Sequence, residues 1–372
     1  MRIVYLTHSL VSCWNHGNAH FLRGLLRELA GRGHDVLALE PERSWSRENL
    51  EAEQGPGTLS RFAARFPDLA GAIATYDSSM DILPAIADAD LVIVHEWTAP
   101  EIVTALGDKK KRGAAFTLLF HDTHHRAVSD PRAINKMDLS GYDGVLAFGQ
   151  SLADVYARAG WGNRVFVFHE AADVRLATSP DRNENQMRSG AVWIGNWGDG
   201  ERSEELGAYL LRPARDAQVK LDVHGVRYPD EAIEALHAHG AEYHGWSAND
   251  RVPEIFARHL FTVHVPRRYY VKFLPGIPTI RVFEALACGL PLVCAPWEDS
   301  ENLFRAGEDF LTASSETDMA SAMRALANDA GLRRELAANG LETIRNKHTC
   351  AHRASELLAI AEQIRPRLKG AA

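Results

Sequence analysis

Apolar residues along the chain fall into short continuous runs that alternate with stretches of helical spacing. The first run, RIVYLT at Arg2 to Thr7, is β-branched and reads as a strand. After the loop HSLVSCWNHGN, residues Phe21, Leu22, Leu25, Leu26 and Leu29 recur at helical spacing until Gly31 and Gly33 stop the helix. DVLALE at Asp35 to Glu40 is a second buried-type strand. Strand, helix and strand in that order make a βαβ unit, whose parallel strands take a right-handed crossover. The rhythm continues through the strands LVIVHE (Leu91 to Glu96), AAFTLLFHD (Ala114 to Asp122), YDGVLAFG and RVFVFHEA, which ends at Ala171. PEIVTALG and SLADVYARAG supply helices between them. Continuous apolar strands with intervening helices predict a parallel sheet covered on both faces.

The polar stretch TSPDRNENQMRSG, Thr178 to Gly190, interrupts this alternation and is the expected linker. The pattern then restarts with AVWIGNW, a helix rich in Leu and Glu, and VKLDVHG. It runs on through DEAIEALHAHG, AEYHGW, RVPEIFARHL, FTVHVPRR, the helix within GIPTIRVFEALACGLPLV, PLVCAP and DFLTA. Two helices over about Glu316 to Asn346 and a last one, CAHRASELLAIAEQIRPRL, complete it. With 372 residues the chain exceeds one ordinary core. The expectation is two α/β Rossmann-like domains, residues 1–177 and 190–349, with a terminal helix at about 350–368.

Charge narrows the partners. Forty-one basic against 49 acidic residues give a net charge of −8 without a long like-charge block. KKKR at Lys109 to Arg112 reads as a solvated turn rather than a nucleic-acid patch. The four cysteines, Cys13, Cys288, Cys294 and Cys350, form no CxxC pair or zinc spacing, and Cys288 and Cys294 read as small core residues. MRIVYLTHSL enters a strand directly, without the apolar length of a secretory leader, and no run approaches a membrane span. A reduced, cytoplasmic protein with no nucleic-acid partner and no membrane span is expected. Its oligomeric state is not legible.

In open parallel sheets ligands gather beyond the carboxyl ends of strands. The loop after the first strand holds His8, Trp14, His16, Gly17 and His20, candidates for an acceptor pocket, or simply a His-rich loop. Glu96, with His95, ends LVIVHE and either joins that pocket or caps a strand. FHDTHH ends another strand. A metal needs three or four converging ligands, and His121 and Asp122 would point to opposite faces. No metal is therefore expected, and His121 and Asp122 are candidate acid/base groups.

In the second half, IGNWGDGERSEEL carries Gly195, Asn196 and, at a helix entry, Arg202, suited to an anion. His224 ends VKLDVHG. Gly245, Trp246 and Val252 could flank a flat base, the alternative being a buried tryptophan. Arg267 adds positive charge ahead of a helix whose first turn carries Pro278, Thr279 and Ile280, where free amides suit a diphosphate. Arg281 and Glu284 share one helix face. A surface ion pair there would contribute little. The expectation is instead that both face a nucleotide, Glu284 holding ribose hydroxyls and Arg281 neutralising the phosphate or holding Glu284.

The two-half plan, with SLVSCWNHGNAHFLRGLLRELAGRGHDV, IGNWGDGERSEEL, RVFEALACGLPLV and APWEDSENLF, resembles the GT-B glycosyltransferases, closest to the CgeB-like (spore maturation) and family 4-like groups. The resemblance covers nearly the whole chain. It implies two Rossmann-like domains with parallel sheets facing an interdomain cleft, and a final helix crossing back onto the first domain. It also implies a bacterial enzyme that moves a sugar from a nucleoside-diphosphate sugar, a UDP-sugar as first choice, to a small-molecule or glycan acceptor. In that family the second domain grips the nucleotide and the first holds the acceptor. Neither a metal nor a tightly bound cofactor is implied. A nucleotide-sugar epimerase or a non-catalytic nucleotide-sugar-binding protein of the same fold are the alternatives. One departure stands out. Family 4-like enzymes usually carry two glutamates eight positions apart, and where the first is expected this chain has Gly276 ahead of Glu284. An inverting and a retaining mechanism both stay open.

Overall fold

The computed structural model describes residues 1–55, 57–177, 188–198 and 200–369. They form two compact units: residues 1–170 with the segment from Cys350 onward, and residues 171–349. The division comes at Glu170, ahead of the expected linker, whose residues 178–187 lie outside those described.

The first unit is a seven-stranded sheet in the order β3-β2-β1-β4-β5-β6-β7. The strands are β1 Arg2–Leu6, β2 Asp35–Pro41, β3 Ile73–Tyr76, β4 Leu91–His95, β5 Thr117–Asp122, β6 Gly144–Ala147 and β7 Val165–Val167. Every pairing is parallel. β4 and β5 are buried at every position, as expected for strands covered on both faces. The sequence pattern misses β3 and the helices Trp45–Gln54 and Thr58–Arg65 before it. β3 is an edge strand whose two central residues are exposed, so it lacks the apolar run that marks the others. The last helix, Cys350–Lys369, returns to the helix Ala19–Gly31. Arg32 donates from Nη2 to Ala351 O (2.6 Å) and from Nη1 to Ser355 Oγ (2.9 Å).

The KKKR run closes a helix rather than a turn. Lys109, Lys110 and Lys111 occupy the last turn of Pro100–Lys111, where cations suit the helix dipole. Two of them are paired instead of merely solvated: Lys110 Nζ lies 3.0 Å from Asp143, and Lys111 Nζ 2.9 Å from Asp138.

The second unit is a six-stranded parallel sheet in the order β10-β9-β8-β11-β12-β13. These are β8 Ala191–Ile194, β9 Leu221–His224, β10 Glu242–Tyr243, β11 Phe261–His264, β12 Leu292–Cys294 and β13 Leu311–Thr312. Alternation along β8 divides its neighbours. Ala191 and Trp193 pack with Leu206, Leu210, Met319 and Met323, whereas Val192 and Ile194 pack with Val252, Phe256 and Ala285. Helices therefore cover both faces. None of the described helices is long and apolar enough to cross a membrane.

In each sheet the strand order reverses once, between β1 and β4 and between β8 and β11. At such a switch point the loops leave in opposite directions and open a crevice. In the second unit that region is tightly built. A Cβ added at Gly225, after β9, would overlap the carbonyl oxygen of Gly195, after β8. Gly225→Ala should therefore destabilise the protein by about 1–3 kcal/mol, the cost of overpacking, read as a lower denaturation midpoint at unchanged slope.

Candidate functional site

At the switch point of the second sheet, Gly195 and Asn196 follow β8, and β11 ends at His264 with Val265 next. Arg202 lies between them, buried with its guanidinium over the Trp193 ring at 5.0 Å. It donates from Nη1 to Val265 O (3.1 Å) and from Nη2 to Asn196 O (2.8 Å) and Oδ1 (2.7 Å). Arg267 reaches the same Asn196 Oδ1 (3.1 Å) and pairs with Glu201. Burial, and then the charge of Arg267, bring the Arg202 pKa down to about 9. Gly195 and Gly198 make room, because a Cβ at either would press on the Arg202 side chain.

The helix expected to meet the diphosphate runs from Ile280 to Ala287, with Thr279 as N-cap. Pro278 thus lies outside the helix instead of in its first turn, and Ile280 is the first helical residue. No described side chain caps the first-turn amides, and no acidic residue lies among them. The Thr279 hydroxyl lies 3.2 Å from His264 Nε2. His264 is buried, and burial followed by the charges of Arg202 and Arg281 lowers its pKa to about 3, so the ring is neutral. Arg281 Nη1 approaches Glu284 Oε2 at 2.6 Å. The two charges therefore pair, the Glu284 side chain 2 % and the Arg281 side chain 13 % exposed. Among the described residues two buried donor atoms here, Arg202 Nε and Arg281 Nε, have no hydrogen-bond acceptor, and the ring nitrogen His264 Nδ1 has no partner. Buried polar atoms are ordinarily satisfied, so together they mark a place built for a polar partner.

Further along the same sheet, the His224 and His244 rings stack at 4.7 Å, and Gly245 O accepts from Gly225 N at 2.8 Å. Trp246 is half-buried, its Nε1 without an acceptor among the described residues. Val252 corrects an expectation. It opens the helix Val252–Phe256 and is buried in the core with Val192, Ile194 and Ala285, so it cannot flank a base. Asp222, Glu242 and His244 place possible ligand atoms within 4.8 Å of one another. Lys220 already supplies a cation there, 3.3 Å from Asp222 and 3.1 Å from Glu242.

The first unit's switch point gathers a different chemistry. His8, after β1, meets His16 at 5.2 Å and Trp97 at 6.1 Å, ring centre to ring centre, and His16 meets His95 at 6.2 Å. His95 Nδ1 lies 2.7 Å from Glu96 Oε2, and the Thr123 hydroxyl bridges His95 Nε2 (3.1 Å) and Glu96 Oε1 (3.2 Å). Arg126 covers Trp97 at 4.4 Å. Burial raises the Glu96 carboxyl and lowers His95, His16 and His8, the last to about 4. These shifts favour the uncharged forms of the four groups, with the Arg126 guanidinium beside them. Two buried charges hold the loop that carries it. Glu40 accepts from Leu10 N (2.6 Å) and Val11 N (3.2 Å), and Arg23 Nε donates to Leu10 O (2.7 Å).

The remaining first-unit candidates sit elsewhere. His121 and Asp122 are fully buried, as His95 and Glu96 are. His121 Nδ1 pairs with the Tyr5 hydroxyl among Phe21, Phe168 and His95, while Asp122 accepts from Tyr156 (2.7 Å) and His124 N (3.1 Å). Trp14 is buried, its N–H donated to Glu53 and its ring edge-on to Trp45. His20 is buried within the helix Ala19–Gly31, one turn after Gly17 in the preceding loop. The groups that sequence reasoning missed are Trp97, Thr123 and His264. Trp97 follows and His264 ends a strand at a switch point, a signal that needs the strand order.

Residues 202–359 match the family described as glycosyl transferase-like. Solved structures of similar fold include Anabaena HepE in complex with UDP and glucose, 14 % identical over 99 % of each chain at a TM-score of 0.65. Sucrose-phosphate synthase from Thermosynechococcus elongatus is 15 % identical over 100 % of both chains, TM-score 0.64. An alpha-glucosyltransferase in complex with UDP and a 13-mer DNA is 12 % identical over 97 % of this chain and 99 % of its own, TM-score 0.66. No curated protein matches the chain by sequence. The chain thus has the fold of these glycosyltransferase structures, and its second half carries the glycosyl transferase-like match.

In this glycosyltransferase fold the buried acids of the first unit have a measurable consequence. Burial, and then the charge of Glu96, push Asp122 up to about 7, and burial raises Glu96 as well. The folded chain keeps protons that unfolded acids release near pH 4, so this contribution is complete below that pH and is lost as pH rises through about 7. The depressed histidines act oppositely, but only below their ordinary value of about 6.5. Stability to denaturant should therefore fall between pH 6.5 and 8. The slope should flatten in Glu96→Gln and Asp122→Asn, and an unchanged slope in both would contradict the assignment.

Proposed function

We propose that the chain transfers a sugar from a nucleoside-diphosphate sugar to an acceptor hydroxyl, with the nucleotide held by the second unit. The unsatisfied buried guanidinium donors of Arg202 and Arg281, with His264 Nδ1 beside them, carry this reading. A diphosphate offers the acceptor oxygens they lack, and its charge matches Arg202, Arg267, Arg281 and the helix N-terminus. UDP is the first choice of nucleotide, because HepE and the alpha-glucosyltransferase were solved with it. Glu284 is assigned to ribose hydroxyls and Trp246 to the base.

In the reaction the bond from the anomeric carbon to the phosphate oxygen breaks, and its electron pair leaves with the diphosphate. The acceptor oxygen takes the anomeric carbon and gives up its proton. Cationic side chains in fixed positions stabilise the charge that gathers on the diphosphate, the work a divalent ion would otherwise do. The polar cluster of the first unit is assigned to the acceptor. His8 is half-buried, and Trp97, 43 % exposed, presents an aromatic surface beside it. An uncharged hydroxyl compound, small molecule or glycan, suits such a surface.

A thermal-shift series with UDP, GDP, ADP, TDP and their sugar conjugates, run in EDTA, tests the nucleotide assignment. UDP at a hundred times its Kd should add about 2.7 kcal/mol of stability. Glu284→Gln should weaken UDP about tenfold, the loss of one charged hydrogen bond. Glu284→Ala is the poorer test, since stripping a partner from the buried Arg281 costs about 3–5 kcal/mol of stability by itself. No shift with any nucleotide would overturn the reading. Sugar turnover without an acceptor would favour an epimerase, and binding without turnover a sensor.

A further inference from the structure

Among the described residues of the first unit, three large apolar side chains are exposed: Trp45 (45 %), Met80 (71 %) and Trp97 (43 %). Trp45 follows β2, Met80 β3 and Trp97 β4, so all three lie beyond the carboxyl edge of one parallel sheet. Both tryptophans are braced by other groups. Trp45 meets Trp14 edge-on at 4.8 Å, and the Ser46 hydroxyl ties that helix start to the loop after β1 by donating to Trp14 O (2.8 Å). Trp97 has the Arg126 guanidinium 4.4 Å from its ring centre, with the His124 ring at 5.4 Å and His8 at 6.1 Å. Arg126 is fixed in turn, donating from Nη1 to Glu96 O (3.1 Å). Rings held in this way lose little freedom when something settles on them.

We propose that the acceptor is a neutral oligosaccharide, recognised at two ring positions by stacking on Trp97 and Trp45. The proposal rests on the sugar-transfer reading above and names its acceptor class. The C–H face of a pyranose ring is weakly positive and matches the negative face of an indole. Its hydroxyls stand around the rim, where polar side chains reach them. The groups against these tryptophans are imidazoles, a second indole and a guanidinium, which hydrogen-bond as well as stack. That setting favours a polyol over a lipid chain, which would call for aliphatic neighbours. The spacing sets the length of the acceptor. β1 lies between β2 and β4, so the two loops start about 10 Å apart at ordinary strand spacing. One sugar ring is shorter than that, and a chain of rings spans it. Trp97, beside His8 at the switch point, takes the terminal ring, and Trp45 takes a ring further along the chain.

The test is isothermal titration of the full chain in saturating UDP with the disaccharide and tetrasaccharide of the malto, cello and chito series. In at least one series the tetrasaccharide should bind wild type about tenfold more tightly than the disaccharide, since only the longer chain reaches both rings. Trp45→Ala should lower tetrasaccharide affinity about threefold to tenfold, the scale of one aromatic contact, and leave the disaccharide within about twofold. Trp97→Ala should weaken both, and Trp97→Phe should recover part of that loss, which a purely structural role would not require. UDP affinity within about twofold of wild type in each variant shows that they fold. Affinity independent of chain length would overturn the proposal in favour of a small-molecule acceptor. Unchanged affinities in both alanine variants, or no binding by any series, would overturn it too. Failure of the wild type to bind UDP would instead defeat the nucleotide-sugar reading.

Discussion

Every strand pairing in both sheets is parallel, and this constraint organises the chemistry of the protein. Parallel strands send all their carboxyl ends to one edge of the sheet, so each loop that follows a strand emerges on the same side. Where the strand order reverses, adjacent loops leave in opposite directions and expose the strand ends between them. In the first unit those ends carry His8 and His95, in the second Asn196 and His264. None of these residues is near its partner in sequence, and each pair is brought together by one sheet reversal.

The two switch points differ in what they can receive. In the second unit, guanidinium groups surround a helix start that no side chain caps, and burial removes the water that would otherwise satisfy them. Such an arrangement is costly empty and favourable when filled by an anion. In the first unit burial works toward neutrality. A raised carboxyl and depressed imidazoles favour the uncharged forms of a polar cluster, beside a tryptophan held by Arg126. That surface discriminates by hydrogen bonding and shape rather than by charge. On the proposed reading, a charged, phosphate-bearing donor occupies the second and an uncharged acceptor the first.

The buried Arg281–Glu284 pair shows how much depends on context. At i, i+3 spacing on an exposed helix it would contribute little. Here the helix is apolar on almost every side, and the pair is enclosed near the sheet. Each charge then requires the other, or a ligand, and cannot be removed singly without exposing its partner to a medium that solvates it poorly. Gly276 is a second case. Its left-handed backbone and the Ser300 hydroxyl exclude a side chain, which accounts physically for the departure from the two-glutamate pattern.

The amino-acid sequence by itself determined the alternation of strand and helix, the two α/β halves, and the loops in which a ligand would be met. These follow from local periodicity and turn chemistry, which act over a few residues. Arg202, Thr279 and Glu284 were legible for the same reason, since each sits at a helix start or on a recognisable helix face. Tertiary structure decided the rest. Val252, Trp14, His121 and Asp122 have side chains suited to a site, yet packing buries them. His264 and Trp97 look ordinary in the chain and matter because sheet order places them at a reversal. Local patterns specify which elements form, while burial and the spacing of groups across the sheet depend on contacts between residues far apart in the chain.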